Sequence, residues 1–380
     1  MEIREMISIT QLHQWILLGA FLAAFLIQMS YYLLVYLRLP LYKPAEAGLS
    51  DAGVSVIVCA RNEESNLKRF LPLILEQDHP HFEVVVVNDS STDQSEDLLN
   101  QLSALHSQLR YTSIPASDKH MRGKKLAVTL GLKAARFDRV LLTDADCYPV
   151  SKQWLQRMSA HMTGEKKMVL GYGGYEPRRG LLNKLIRYET VFTAMQYLSF
   201  AIKGKPYMGV GRNLAYDKSL FFENKGFARH YHLLSGDDDL FVNENATAEN
   251  TAVEFDRKAH TLSLPETTLR AWIKQKKRHI SAGSFYRAGT RFRLGVEWIS
   301  RILLYATLIW LCLSSPWVWP AASVFCILLI TRLVVLNMGM RCLEEKQLLL
   351  PSLLFDPVVP LIVGILWFTS LFESKHQAWS

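Results

Sequence analysis

Apolar residues crowd into the first 40 positions and the last 85, while the stretch between them alternates short apolar runs with polar turns. Trp15–Leu37 carries no charge over 23 residues. As a helix it would measure about 34 Å, enough to cross a bilayer core of about 30 Å. Its length and bulky end, Tyr31-Tyr-Leu-Leu-Val-Tyr-Leu37, set it apart from a cleaved signal peptide, which ends in small residues. The pattern predicts an uncleaved anchor. Three more apolar runs follow, Trp298–Trp317, Ala321–Met340 and Pro351–Phe372, with Ser314-Ser-Pro316 as a hairpin turn between the first two. Two charges interrupt them: Arg332 lies inside the third span and Asp356 near the start of the fourth. Charges at that depth face a helix bundle and pair. Their depths differ by about four residues, or ~6 Å, which an arginine side chain can bridge, so the two are expected to pair. The alternative is a snorkelling arginine and a fourth segment that does not fully cross.

The middle of the chain has a different rhythm. Val54–Ala60, Phe82–Val87 and Arg139–Thr143 are short, continuous apolar runs rich in β-branched residues, the pattern of strands buried on both faces of a parallel sheet. Helix-like stretches, Glu64–Leu75, Asp93–Leu105 and Gly123–Ala135, alternate with them. The order predicts a doubly wound α/β domain, whose ligands sit beyond the carboxyl ends of the strands. Those ends are polar: Arg61-Asn-Glu-Glu64, then Asn88-Asp-Ser-Ser-Thr-Asp93, then Asp144-Ala-Asp146. Each could merely start a helix, with Ser91 or Thr92 as a cap. Three clusters at three successive strand ends point instead to one pocket.

Charge and cysteine content then narrow the class. The net charge is +8, but the basic residues flank the apolar spans: Arg38 and Lys43 after the first, Arg287, Arg291, Arg293 and Arg301 at the second, Arg341 and Lys346 between the third and fourth. That predicts a middle domain in the cytoplasm, at the plasma membrane if the cell is bacterial, with both termini outside; no nucleic-acid partner is expected. The five cysteines are odd in number and lack paired spacings, against a disulfide framework or zinc site. Cys59 and Cys147 adjoin strand-like runs and read as small buried residues of a domain facing a reducing compartment.

Aspartates two apart at a strand end can offer oxygen ligands to a hard cation such as Mg²⁺ or Mn²⁺, and such an ion neutralises a departing diphosphate. Downstream, Ser235-Gly-Asp-Asp-Asp-Leu240 packs three carboxylates together; such crowding raises a pKa and suits a general base. Gln275-Lys-Lys-Arg-His279 is basic and could grip a diphosphate or face lipid. Leu182–Ile202, apolar with interspersed cations, suits either an interfacial helix that guides a lipid to the site or a helix packed on the sheet.

Over Val54–His279 these features resemble the inverting family 2 glycosyltransferases, whose nucleotide-diphospho-sugar fold is called GT-A, and the flanking spans resemble the membrane-integrated branch. Val56-Ile-Val-Cys-Ala-Arg-Asn-Glu63 is similar to the family's opening strand and Asn-Glu turn, and Asn88-Asp-Ser-Ser-Thr-Asp93 to its Asp-Asp-Gly-Ser-x-Asp turn. Gly123-Lys-Lys-Leu-Ala-Val-Thr-Leu-Gly131 resembles its Gly-Lys-x-x-Ala-Leu-Asn-x-Gly helix, Asp144-Ala-Asp146 its D-x-D, and Gly211-Arg-Asn-Leu-Ala215 its acceptor-side segment. Gly236-Asp-Asp238 resembles the base motif and Gln275-Lys-Lys-Arg278 the Gln-x-x-Arg-Trp motif. The resemblance implies an anchor over residues 1–40, a cytoplasmic GT-A domain over 41–285 and a membrane domain over 286–380. It implies a UDP-sugar donor held by Glu63, Asp89, Lys124, Asp144, Gln275 and Arg278, with Mg²⁺ or Mn²⁺ on Asp146 and Asp144. Asp238 would be the base, or Asp237 in the other register of the run. The departures are Asn88 for Asp, Thr129 for Asn and His279 for Trp. The acceptor implied is a membrane lipid or lipid-linked glycan; a processive polysaccharide synthase and a non-catalytic nucleotide-sugar-binding scaffold are the competing readings.

Overall fold

The computed structural model describes residues 2–44, 48, 50–115, 124–231, 233, 235–314 and 316–370. Gly123, Ser315 and Phe372, which belong to the motif, hairpin and fourth run named above, lie outside the described residues.

The chain enters through α1 (Glu2–Tyr31), which continues through a π-turn at Tyr32–Tyr36 into α2 (Arg38–Leu41). The α/β region then runs β1 (Val54–Ala60), α3 (Glu64–Leu75), β2 (Phe82–Asp89), α4 (Ser95–Leu105), β3 (Leu109–Ile114), α5 (Lys125–Ala134), β4 (Arg139–Asp144), β5 (Cys147–Pro149), α6 (Trp154–Ala160), β6 (Met168–Gly171) and β7 (Gly173–Tyr175). After α7 (Leu181–Ile202) come β8 (Leu214–Asp217), α8 (Lys218–Glu223), α9 (Asp239–Asn245), β9 (Thr251–Glu254), β10 (Thr261–Ser263) and α10 (Leu269–Gly283). Three long helices close the described chain: α11 (Ala288–Ser314), α12 (Val318–Cys342) and α13 (Leu349–Ser370).

The main sheet has the order β3-β2-β1-β4-β8-β6-β9. β1 pairs in parallel with β2 and β4, β2 with β3, and β6 with β9; β8 runs antiparallel to both β4 and β6. A small sheet, β5-β10-β7, stands beside it. Strand alternation explains why β1 is buried throughout. Val54, Val56, Val58 and Ala60 pack with Leu67, Leu71 and Ile74 of α3, while Ile57 and Cys59 face Ala127, Val128 and Leu132 of α5. Gly131 lets α5 approach that second face, because a Cβ there would lie 2.5 Å from Ile57 Cγ2.

The expected strands and helices are present, with shifted edges that bear on function. β2 extends to Asp89 and β4 to Asp144, so both aspartates are terminal rungs of the sheet. Neither Ser91 nor Thr92 starts α4. The Asp93 carboxylate accepts the N–H groups of Ser95 (3.1 Å) and Glu64 (3.1 Å), and so serves the first turns of two helices at once.

Among the described residues four helices are long and apolar enough to cross a membrane: Leu12–Leu41, Ala288–Leu313, Val318–Cys342 and Leu349–Thr369. The second starts ten residues before Trp298, because its polar first turns pack on α1. Gln28 Nε2 donates to Glu297 O and Ser300 Oγ (2.8 Å each), and Tyr31 OH donates to Arg293 O (2.6 Å). Arg332 does pair with Asp356, and the pair is part of a larger buried centre. Arg301 also reaches Asp356 (3.3 Å) while pairing with Glu297, and Tyr305 (2.6 Å) and Tyr188 (3.2 Å) donate to the same carboxylate.

Tyr188 belongs to α7, which is no interfacial helix. Its Leu185, Ile186, Val191, Ala194, Met195 and Leu198 are buried, and the helix lies in the seam between sheet and spans. Tyr197 OH donates to Gly171 O (2.6 Å) at the end of β6, and Arg187 pairs with Glu345 in the link between α12 and α13.

Candidate active site

The polar residues at the strand ends converge. Asp144 ends β4, Asp146 sits in the turn that follows, and Cys147 opens β5; ligand atoms of the three lie within 4.8 Å of one another. The thiol is no candidate ligand for a hard cation. Cys147 Sγ lies 3.2 Å from Asp146 Oδ1 and 2.8 Å from Ser263 Oγ, and burial pushes its pKa well above the ordinary value, so it stays protonated. The two carboxylates remain, an oxygen donor set that fits Mg²⁺ or Mn²⁺ and not a soft metal.

Lys124 connects this turn to the second acidic cluster. Its ammonium pairs with Asp144 and lies 3.6 Å from Asp237 Oδ2. Burial opposes that charge, but Asp144 and Asp237 outweigh it and hold the lysine well above its usual range. In turn, although burial favours its neutral form, Lys124 holds the Asp144 carboxyl below the ordinary range, with Arg212 and Arg278 adding to the effect. Asp146 shifts the other way, pushed up by burial and by Asp144.

Asp238 caps α9. Its Oδ1 accepts the Asp239 N–H (2.7 Å) and its Oδ2 the Gly211 N–H (2.7 Å). Burial, then Asp237, push its pKa up to about 6. A Cβ at Gly211 would stand 3.2 Å from Asp238 Oδ2 and 3.5 Å from Lys124 Nζ, so the glycine of Gly211-Arg-Asn keeps this corner open. Asp239 turns away: it accepts Tyr286 OH (2.7 Å), and burial followed by Asp238 raises it to about 7.

The remaining expected residues surround this centre. Glu63 stands at the start of α3, accepts Asn66 Nδ2 (2.6 Å) and is raised chiefly by burial, with Asp146 and Asp144 contributing. Asp89 is buried at the end of β2; Cys59, pushed up to about 12 mainly by burial, lies within electrostatic reach of Asp89, Lys124, Asp144 and Asp237 together. Arg278 is half-buried on α10, and its carbonyl accepts Ser235 Oγ (3.0 Å). Gln275 is one layer out, its Oε1 3.5 Å from Tyr175 OH. His279, at the position of the family's Trp, is exposed.

Two further residues shape the site. Lys125 is buried and donates to the carbonyls of His230 (2.7 Å), Leu233 (2.7 Å) and Ser235 (2.8 Å), so it holds the segment that presents Asp237 and Asp238. A lysine three residues before Val128 and seven before Leu132, on the apolar face of α5, is the signal that marks it. Arg212 stacks over the Tyr175 ring (4.6 Å) and donates through Nε to Gly173 O (3.0 Å), which brings its charge to bear on both aspartates of the turn.

Comparison with known proteins bears on the fold that carries this site. Residues 55–223 match the family described as Glycosyl transferase family 2. The poly-beta-1,6-N-acetyl-D-glucosamine synthase of Staphylococcus epidermidis is 26% identical over 94 residues, covering 25% of this chain and 22% of that protein. The probable glycosyltransferase YdaM of Bacillus subtilis (strain 168) is 28% identical over 144 residues, 36% of this chain and 34% of that protein. The chain thus matches between 22% and 34% of the length of these relatives. Mannosyltransferase PcManGT of Pyrobaculum calidifontis, solved with GDP-Man and Mn²⁺, shares the fold: TM-score 0.64 at 19% identity, over 94% of this chain and 99% of that one.

Proposed function

We propose that this chain, which carries a family 2 glycosyltransferase domain on a GT-A fold, transfers a sugar from a nucleotide-diphosphate donor to a membrane lipid or lipid-linked glycan, with inversion at the anomeric carbon. The observation that carries the reading is Lys124, whose ammonium bridges the aspartate turn and the acidic segment before α9. One cation thereby sets the phosphate-binding side of a donor against a half-buried carboxylate pair, Asp237 and Asp238, that can take a proton.

In this reading Asp146 and Asp144 hold Mg²⁺ or Mn²⁺. Such an ion supplies charge neutralisation for a departing diphosphate. Glu63 and Asp89 hold the nucleoside, which we read as uridine, and Lys124, Gln275 and Arg278 flank the diphosphate. Asp238 accepts the acceptor hydroxyl's proton as its oxygen forms the new bond to the anomeric carbon and the bond to the diphosphate breaks on the opposite face. Two backbone N–H donors fix its carboxylate, and a pKa of about 6 leaves it ionised yet basic near neutral pH. Asp237, whose carboxylate already engages Lys124, is the rival base.

The reading also sets the catalytic domain on the cytoplasmic side of an integral membrane protein. Arg38, Arg287, Arg291, Arg293 and Arg341 lie at the ends of the spans nearest that domain. Trp15 and Trp317, rings 5.0 Å apart, mark the opposite ends, as interfacial aromatics do.

The test is turnover of UDP- and GDP-sugars by the full chain in nanodiscs, with and without Mn²⁺, and the anomeric configuration of the product by NMR. Asp238→Asn should lower turnover by about 10²–10⁴-fold with donor binding intact. Loss in Asp237→Asn alone would move the base by one residue, and retention in the product of the donor's configuration would overturn the mechanism. The name of the Staphylococcus epidermidis relative favours a second reading, processive polymer synthesis. Product length separates the two, a single addition being expected here.

A further inference from the structure

Where the first span meets the catalytic domain, the surface forms a groove of about 310 Å³. Its walls are Leu33, Leu34, Leu37 and Leu41 of the first helix and Ile202 at the end of α7, with Arg38 beside them. Leu33, Leu34 and Leu41 are exposed. The rim is cationic. Lys203 follows Ile202, and its ammonium is pushed down by burial and then by Arg38, Lys205 and Arg293, every one of them positive. Among the described residues Arg38 donates to Leu34 O (2.8 Å) and Arg293 to Thr290 Oγ1 (3.3 Å), and none of the four basic groups forms an ion pair with a carboxylate.

Arg38 lines the groove, Lys203 adjoins it at Ile202, and Lys205 and Arg293 lie within electrostatic reach of Lys203, so unbalanced positive charge stands beside leucines at the end of a membrane span. An occupant that suits both must be anionic at one end and apolar at the other. We propose that this groove binds one anionic glycerophospholipid, its headgroup phosphate against Arg38 and Lys203 and its acyl chain along Leu33 and Leu37. A free phosphate would gain nothing from the leucines of a membrane span, and a zwitterionic lipid would bring a cation to a cationic rim. The lipid so held touches the first helix and the end of α7. Those are the elements joined at the seam between membrane and catalytic domain, so it acts there as a resident stabilising lipid and not as the sugar acceptor.

The test uses the purified full chain in nanodiscs of phosphatidylcholine with and without phosphatidylglycerol, read by the melting temperature and by native mass spectrometry of retained lipid. Phosphatidylglycerol should raise the melting temperature and stay bound, whereas soluble glycerol phosphate should do neither. Each basic side chain near an anionic lipid surface is worth about fivefold in binding, so Arg38→Gln with Lys203→Gln should weaken retention on the order of 30-fold. Arg38→Lys with Lys203→Arg keeps the charge and should keep the shift. Arg291→Gln with Arg341→Gln removes equal charge from the same membrane face, outside the groove, and should also keep it. An equal loss in that control pair would reduce the effect to general surface charge. An unchanged shift in the glutamine pair would overturn the site, as would sugar transfer onto phosphatidylglycerol.

Discussion

Asp356 is the most heavily used side chain in the membrane region, and replacing it with asparagine isolates what the buried charges contribute. Its carboxylate meets Arg332, Arg301, Tyr305 and Tyr188. With Glu297 beside Arg301, two arginines face two acids and the centre is neutral. Asp356→Asn leaves two guanidinium groups with one carboxylate in hydrocarbon, and stranding a buried charge in this way costs about 3–5 kcal/mol. Arg332→Met leaves one guanidinium between two carboxylates, but Tyr305 and Tyr188 still donate to Asp356 and take up part of that excess, so a smaller cost of about 1–3 kcal/mol is expected. The double variant retains the Arg301–Glu297 pair, balanced on its own. It should therefore cost no more than Asp356→Asn alone, which sets the coupling at about 1–3 kcal/mol. That exceeds the ~0.6 kcal/mol average of hydrogen bonds between spans, so the cycle can tell an ionic centre from ordinary polar contact. The exchange Arg332→Asp with Asp356→Arg should not rescue, because the new arginine would confront Arg301 at close range. Reversible unfolding of the full chain in mixed micelles measures all four. Additivity within about 0.5 kcal/mol, or full rescue by the exchange, would refute the four-charge description.

Lys125→Met should lower stability by about 3 kcal/mol, since three charge-assisted bonds to carbonyls are lost, and should reduce turnover with donor affinity little changed. Calorimetry and a KM-against-kcat comparison check this. A pH profile of kcat/KM should fall on the acid side near pH 6, where Asp238 gains a proton and can accept no other. It should fall again above about pH 8, to which burial lowers Lys125, because the neutral amine donates two hydrogens where the ammonium donated three. Lys125→Met should abolish the alkaline limb and leave the acid limb.

The strands, the long helices and the aspartate turn were legible in the sequence because each rests on local periodicity or spacing. A short β-branched run such as Val54–Ala60 suits a strand buried on both faces, and 23 uncharged, mostly apolar residues suit a span. The pairing of Arg332 with Asp356 was also legible, since an isolated charge in hydrocarbon demands a partner. What stayed hidden depended on distant contacts. Arg301 read as a flanking basic residue, yet it completes the same centre from another helix. Lys125 stood beside the lysine that the motif singled out, and only the return of the chain past His230 gives it a purpose. Asp93 took the capping role assigned to Ser91 or Thr92 because two helices start near one loop, and a carboxylate can serve both. Helix α7 was ambiguous for a related reason: spaced cations among apolar residues suit a membrane surface and a seam equally, and Glu345, which decides the matter for Arg187, lies 158 residues away.

That seam bears on whether the catalytic region can stand alone. A cut at residues 41 and 285 follows the change in composition, but it divides a continuous core. One cluster of buried side chains runs from Ile57 and Val87 of the sheet through Tyr188, Val191 and Met195 of α7 to Leu336 and Met340 of α12. Gly339 lies against Met195 so closely that a Cβ there would come within 2.5 Å of its sulfur. Arg187 and Tyr188, neighbours in sequence, are about 100° apart around the helix and so reach two separate acids, Glu345 and Asp356, both on the membrane side. Removing the spans would expose the faces of Tyr188, Phe192 and Met195. At about 1.5–3 kcal/mol for each large apolar side chain, roughly 5 kcal/mol or more would be lost. The unpaired Arg187 would add to that, against a total stability of about 5–15 kcal/mol for a folded domain. Residues 41–285 expressed alone should therefore aggregate without detergent, and charged replacements at Phe192 and Met195 should improve their solubility. A monodisperse, folded fragment that binds donor in plain buffer would show that the seam contributes little, and that the two regions meet as separate domains after all.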